Sequence, residues 1–207
     1  MTTPTVAVFG ANGRSGRVFV AAALSAGYKV RAGVHHGELA PAKNLISFRC
    51  DATNNQEVAE VLSGCDYAVS LLGHVPKSHQ LMQTNAINTI AHEMQKQDIK
   101  RLVSLTGTGV RIAGDKPSII DYMANFVIKL IDPHRINDGI QHVRALESTT
   151  LDWTVIRVLK LANSTAKPYH LTPGGPAKLL TSREEVASAI LAVLNDASTY
   201  QTYPIIS

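Results

Sequence analysis

Val6-Ala-Val-Phe9-Gly10-Ala-Asn12-Gly13-Arg14-Ser-Gly16 stands near the start of the chain and decides its fold class. Val6 to Phe9 is an unbroken apolar, β-prone run between Pro4 and Gly10. A strand without polar alternation suits a parallel sheet covered on both faces. Three glycines at a spacing of three then lead into a helix-length segment. A turn of this kind needs positive φ, close approach of backbone to a pyrophosphate, and tight packing of helix on strand. The helix start adds unpaired N–H groups and the positive end of its dipole. In this position the glycine triplet reads as a dinucleotide-binding turn. Asn12 either meets a phosphate or steadies the turn, and Arg14 either pairs with a phosphate or is solvated; the phosphate role is the expectation for both.

The pattern set by this stretch repeats outward. Lys29–Val34, Ile46–Arg49, Tyr67–Leu72, Arg101–Leu105 and Trp153–Arg157 are further strand candidates. Helix-length segments lie between most of them. Ser15–Ala26 ends at Gly27, the residue type expected just past a helix. Asn54–Leu62 is preceded by Thr53, three residues before Gln56, the spacing of a capping box. His79–Gln97 and Ile136–Ser148 complete the series. Alternating strands and helices predict an α/β, doubly wound, mainly parallel sheet of Rossmann-like type. Near the C-terminus, Pro173-Gly-Gly-Pro176 marks a turn. Ser182-Arg-Glu-Glu185 caps a helix running to about Leu194, and Tyr200–Ile205 reads as a last strand. The stretch Ile112–Pro133 holds a helix around Ile119–Leu130, whose apolar content places it over a pocket or an interface.

With 207 residues and no repeat or linker, the chain fits one domain, 1–207, with a small substrate-side region at about 158–181. A hydrophobic content of 45% excludes general disorder. No apolar run approaches the ~20 residues of a membrane span. The N-terminus lacks a signal-peptide pattern, and the chain reads as cytoplasmic. Cys50 and Cys65 form neither a disulfide framework nor a metal-ligand pattern, and are expected to be buried thiols. His74, His134 and His142 are scattered, so no metal is expected. The net charge of +4 suits an anionic small ligand and comes without the Lys/Arg stripe of a nucleic-acid surface.

Cofactor choice turns on the end of the second strand. An NAD site usually carries an acid about 20 residues beyond the glycines, to hold the ribose hydroxyls. Here Val34-His35-His36-Gly37 offers none. A 2′-phosphate would meet His35 and Arg14, which favours NADP, with NAD the alternative. Asp51, after the third strand, is placed to reach the adenine edge or to act as a turn acid. Gly73 would let the chain pass beside the dinucleotide.

The combination of Gly10-xx-Gly13-xx-Gly16, Cys50-Asp51, Leu72-Gly73, Val103-Ser-Leu-Thr106, Leu151-Asp-Trp-Thr-Val-Ile-Arg157 and Thr181-Ser-Arg-Glu-Glu-Val-Ala187 resembles the atypical short-chain dehydrogenase/reductases across essentially the whole chain. Length and spacing look closest to the flavin reductase/biliverdin-IXβ reductase branch and to the NmrA-like proteins. The resemblance implies that Gly10, Asn12, Gly13, Arg14, Ser15, Gly16, His35, Asp51, Ala52, Leu72, Gly73 and Thr106 bind the cofactor.

Typical members of that superfamily use a Tyr-xxx-Lys pair, the lysine lowering the tyrosine pKa. Here Ile140 and Arg144 stand at those places, and Tyr122 is followed four residues later by Phe126. Ketone chemistry by the usual route is therefore not expected. A flavin or quinone accepts hydride without a strong general acid, and is the expected acceptor. The serine and histidine positions implied by the flavin reductase branch hold Gly107 and Lys160. Thr106 and Lys160 are the candidate catalytic residues. Two classes follow: an NAD(P)H-dependent reductase of small planar acceptors, or an NmrA-like regulator that senses the dinucleotide.

Overall fold

The protein is described by a computed structural model covering residues 3–74 and 79–207. The N-terminal half contains β1 (Thr5–Phe9), α1 (Arg14–Ser25), β2 (Lys29–Val34), β3 (Leu45–Arg49), α2 (Asn55–Leu62), β4 (Tyr67–Ser70) and α3 (Met82–Lys96). The C-terminal half contains β5 (Arg101–Gly107), α4 (Ile119–Ile131), α5 (Pro133–Glu147), β6 (Asp152–Val158), β7 (Leu161–Ala162), β8 (Leu171–Thr172), β9 (Thr181–Ser182), α6 (Arg183–Leu194) and β10 (Ile205–Ile206). The main sheet has the order β3-β2-β1-β4-β5-β6-β10-β8, and only the β10–β8 pairing in it is antiparallel. β7 and β9 form a separate two-stranded parallel pair. The predicted doubly wound α/β sheet is therefore present.

Its strand order reverses between β1 and β4, because β1 pairs with β2 on one side and β4 on the other. A crevice opens at the carboxyl ends of strands where such a reversal occurs. Two apolar layers cover the sheet. One packs Phe19 and Val20 of α1 with Ile190 and Val193 of α6. The other packs Val58 of α2, Ile90 and Met94 of α3, and Val143 and Leu146 of α5. The strands between them are buried on both sides, as the apolar run Val6–Phe9 requires.

Several boundaries differ from those expected. Asn54, not Thr53, caps α2: its side chain accepts from the N–H groups of Gln56 and Glu57, while Thr53 is bound to Asp51. α3 begins at Met82 and not His79, and β4 stops at Ser70. α5 begins three residues early, at Pro133, because Asp132 accepts from the Arg135 N–H and proline fits the first helical position. Tyr200–Ile205 is not a continuous strand. Gln201 adopts φ +53°, Thr202 makes one isolated bridge to Thr154, and pairing resumes only at Ile205. The capping box of α6 is formed, Ser182 and Glu185 each accepting from the other's backbone N–H.

α4 stands apart. Ile119 and Ile131 are each 79% exposed, and Met123, Phe126 and Leu130 are exposed between them. Its apolar outer side is uncovered by the described residues. No helix among the described residues is long and apolar enough to cross a membrane.

Candidate functional site

The glycine loop is shaped by three different steric demands. Gly10 has φ +75°, and a Cβ there would lie 3.0 Å from the Leu71 carbonyl oxygen. Gly16 permits the closest approach: a Cβ would sit 2.1 Å from the Gly10 oxygen and 2.6 Å from that of Ala11. Gly13 precedes α1 with φ −67°, which any residue adopts. Its Cβ would be 3.1 Å from the Gly10 oxygen. A side chain at Gly13 is thus opposed less by backbone strain than by occupation of the cradle. This cradle fits a pyrophosphate at the start of α1.

The side chains near the loop depart in part from their expected duties. The Asn12 amide nitrogen donates to the His36 carbonyl at 2.7 Å, tying the glycine loop to the end of β2. What it leaves buried without a partner, among the described residues, is Oδ1. That atom is an acceptor, suited to a ribose hydroxyl and unsuited to a phosphate oxygen. Arg14 and Ser15 are the first two residues of α1, Arg14 exposed and Ser15 half-buried.

His35 and His36 are exposed, their rings tilted by 38° with centroids 4.0 Å apart. They line a cavity of about 640 Å³ between the loop after β2 and the edge strand β3. Glu38 and Arg49 line it too, whereas Arg14 does not. The cation that shares this cavity with His35 is therefore Arg49, the last residue of β3. Arg31 is committed elsewhere, donating to the Glu60 and Val61 carbonyls at the end of α2. Asp51 accepts from the backbone and hydroxyl of Thr53, bonds that hold its carboxyl below the usual range. It is a turn acid in this structure, with Ala52 half-buried beside it. The Leu72 carbonyl accepts from Gln83, and Gly73 faces open space.

Across the crevice, the C-terminal half is organised by buried polar groups. Arg157 is fully buried and grips Asp115 through two bonds of 2.6 and 2.8 Å. It also donates to the carbonyls of Val110, Pro173 and Tyr203, joining β6 to three loops. Burial pushes the Asp115 carboxyl up, but the bonds from Arg157 and the Ile112 N–H outweigh it and leave it lowered. Asp121 of α4, 1% exposed, accepts from Thr108, Arg111 and Asn125.

All three scattered histidines meet at α5: His134 and His142 lie on it, and His74 reaches its Asp138. Asp138 is fully buried, accepts from the N–H groups of Gln83 and Thr84 at the start of α3, and lies 2.8 Å from Nε2 of His74. One turn further, His142 Nε2 is 2.9 Å from the Ser104 hydroxyl. Burial drives the His142 imidazole down to about 4, despite opposing effects of Asp138 and the Gln83 backbone. His142 is consequently neutral in the folded protein. Thr106, on β5, is 7% exposed and faces Gly139 of α5, where a Cβ would come within 3.0 Å of its hydroxyl. Lys160 is exposed, and its carbonyl accepts from the Thr181 N–H. The thiols of Cys50 and Cys65 are buried and pushed up to about 12, mainly by burial, so they are poor nucleophiles.

Comparison with known proteins agrees with this architecture. The sequence profile of the NAD(P)H-binding family matches residues 10–197, and the chain belongs to that family. No curated protein matches it. A short-chain dehydrogenase/reductase from Veillonella parvula, solved in complex with NADP, is similar in fold with a TM-score of 0.83. It is 16% identical, the alignment covering 100% of this chain and 95% of that one. The oxidoreductase ylbE from Lactococcus lactis aligns with a TM-score of 0.81 at 17% identity, over 98% of this chain and 90% of that one. ChuY, an anaerobilin reductase from Escherichia coli O157:H7, aligns with a TM-score of 0.77 at 18% identity, over 99% and 96%. The protein thus has the Rossmann-like fold of the NAD(P)H-binding family.

Proposed function

We propose that this protein is an NAD(P)H-dependent reductase that prefers NADPH and passes hydride to a small planar acceptor such as a flavin or quinone. The observation that carries the reading is the glycine cradle opening at the carboxyl edge of the sheet, in a chain that has Ile140 and Arg144 where the resemblance puts the Tyr-xxx-Lys pair. When bound, the dinucleotide supplies a hydride from its nicotinamide. Gly10, Gly13 and Gly16 leave room for the pyrophosphate, and Asn12 Oδ1 offers an acceptor to a hydroxyl. His35 and Arg49 set the charge at the adenosine ribose. Lys160, exposed beyond β6, attracts an anionic acceptor in this reading. The acceptor's proton comes from water, since a ring of this type needs no strong acid. The similarity to ChuY and to the NADP complex supports this choice of reaction and cofactor.

The uncovered apolar side of α4 favours the alternative, a dinucleotide-sensing regulator that docks a partner. Steady-state oxidation of NADPH and NADH with flavin and quinone acceptors separates the two. Turnover with NADPH favoured is the expected result; tight dinucleotide binding with no turnover would replace the enzyme by the sensor.

A further inference from the structure

Arg14 is the first residue of α1, and Arg183 the first residue of α6. The two helices pack on the same face of the sheet. A groove lined by Arg17 and Ser25 of α1 and by Glu184 and Leu191 of α6 runs between them. The last carbonyls of α6, of Val193 and Leu194, accept from Arg101 at the start of β5. So α6, like α1, begins at the carboxyl edge of the sheet, where the glycine cradle opens.

Arg183 is only 8% exposed. It makes no ion pair among the described residues; one terminal nitrogen donates to the Asn163 side chain, and Nε is buried without a partner among them. The acids beside it are engaged elsewhere. Glu184 accepts from the Ala166 N–H, and Glu185 from Ser182, Lys167 and Lys178. Burial lowers the Arg183 pKa, and the charge of Arg14, at the start of the neighbouring helix, lowers it further. A buried guanidinium with no acid and a second cation beside it is electrostatically incomplete. Phosphate oxygens fit it, because guanidinium presents planar, paired donors and phosphate presents paired acceptors.

We infer that Arg183, delivered by α6 from the far end of the chain, binds the cofactor pyrophosphate and closes the glycine cradle together with Arg14. The inference rests on the cradle holding NAD(P)H and does not depend on turnover. The pyrophosphate is common to NADPH and NADH, so Arg183 contributes equally to both and leaves the choice between them to His35 and Arg49.

The test measures dissociation constants of NADPH and NADH, without acceptor, for wild type, Arg183→Met and Arg183→Lys, with thermal unfolding of each. Arg183→Met is expected to weaken both cofactors by the same factor, roughly tenfold or more. Arg183→Lys keeps the charge and loses the planar donors, so it falls between wild type and Met for both cofactors. Unchanged affinities in either variant, whatever the unfolding temperature, would make Arg183 a structural residue and overturn the inference. Weakening of NADPH alone would move Arg183 to the 2′-phosphate and overturn it as well. Should Arg183→Met not fold, Arg183→Lys alone decides between these outcomes. A wild type that binds both cofactors yet reduces no acceptor would remove the reductase and leave this inference standing.

Discussion

Around β1 and β2 the crevice is shaped by missing side chains, Gly10, Gly13 and Gly16, and its contacts are mostly backbone. Around β5 and β6 the same edge is held by buried carboxylates and their partners: Asp115 with Arg157, Asp121 with Arg111, and Asp138 with His74. The first region must leave space for a ligand whose chemistry is constant. The second must fix several loops against each other, and long side chains with fork-like donors do that across gaps the backbone cannot span. Errors in the two regions should therefore fail differently, the first through the ligand and the second through the fold.

The strongest challenge to that contrast is Gly16→Val. Its Cβ would sit 2.1 Å from the Gly10 oxygen, so α1 must move away from β1. Loss of both dinucleotide binding and soluble, folded protein is expected. Gly13→Val should lose binding while its unfolding temperature stays near wild type, since Gly13 has an ordinary φ. Isothermal titration and thermal melts on the pair check this; equal behaviour of the two would erase the distinction between space for the helix and space for the ligand.

Next in size is Arg157→Met, which strands Asp115 in a buried site. Breaking a buried ion pair costs about 3–5 kcal/mol, to be read from urea unfolding. The depressed Asp115 carboxyl stabilises the fold above the ordinary carboxylate range, and that contribution is lost as pH falls through its lowered folded value. Arg157→Met should remove this acid-side slope as well. A variant as stable as wild type would show that the pair is dispensable to the C-terminal half.

His142 gives a smaller effect with a definite pH window. Held neutral by burial, its folded pKa lies at about 4, against 6.5 for an ordinary histidine. Protonation then favours the unfolded chain, so stability is complete above pH 6.5 and declines as pH falls towards 4. The total is on the order of 3 kcal/mol. His142→Gln, able to keep a hydrogen bond to Ser104, should flatten the decline; a pH–stability curve unaffected by it would refute the assignment.

The smallest expected effect belongs to the first region. His35→Asp places a carboxylate in the cavity shared by Glu38 and Arg49. It should weaken NADPH and strengthen NADH, reversing the preference with about a tenfold change in each direction. Dissociation constants of both cofactors in wild type and variant test it. A preference indifferent to this change would mean that Arg49 alone reads the ribose.

The amino-acid sequence by itself determined the parallel α/β sheet, the glycine cradle and the α6 capping box, because each depends on residues adjacent in the chain. Val6–Phe9 can only be a strand buried on both sides, and Gly10–Gly16 encodes its turn within seven residues. The β2 boundaries follow for the same local reason. Only the tertiary structure decided which charges meet. Arg157 finds Asp115 across 42 positions, Asp138 reaches the start of α3 across 54, and Arg183 comes to lie beside Arg14 from the opposite end of the chain. No spacing rule announces such pairs, since the fold brings them together through the order in which the strands join. Local competition among polar groups explains the remaining differences: Asn54 takes the cap of α2 once Asp51 has claimed Thr53, and the Asn12 amide is drawn to the His36 carbonyl, which leaves Oδ1 as its free acceptor.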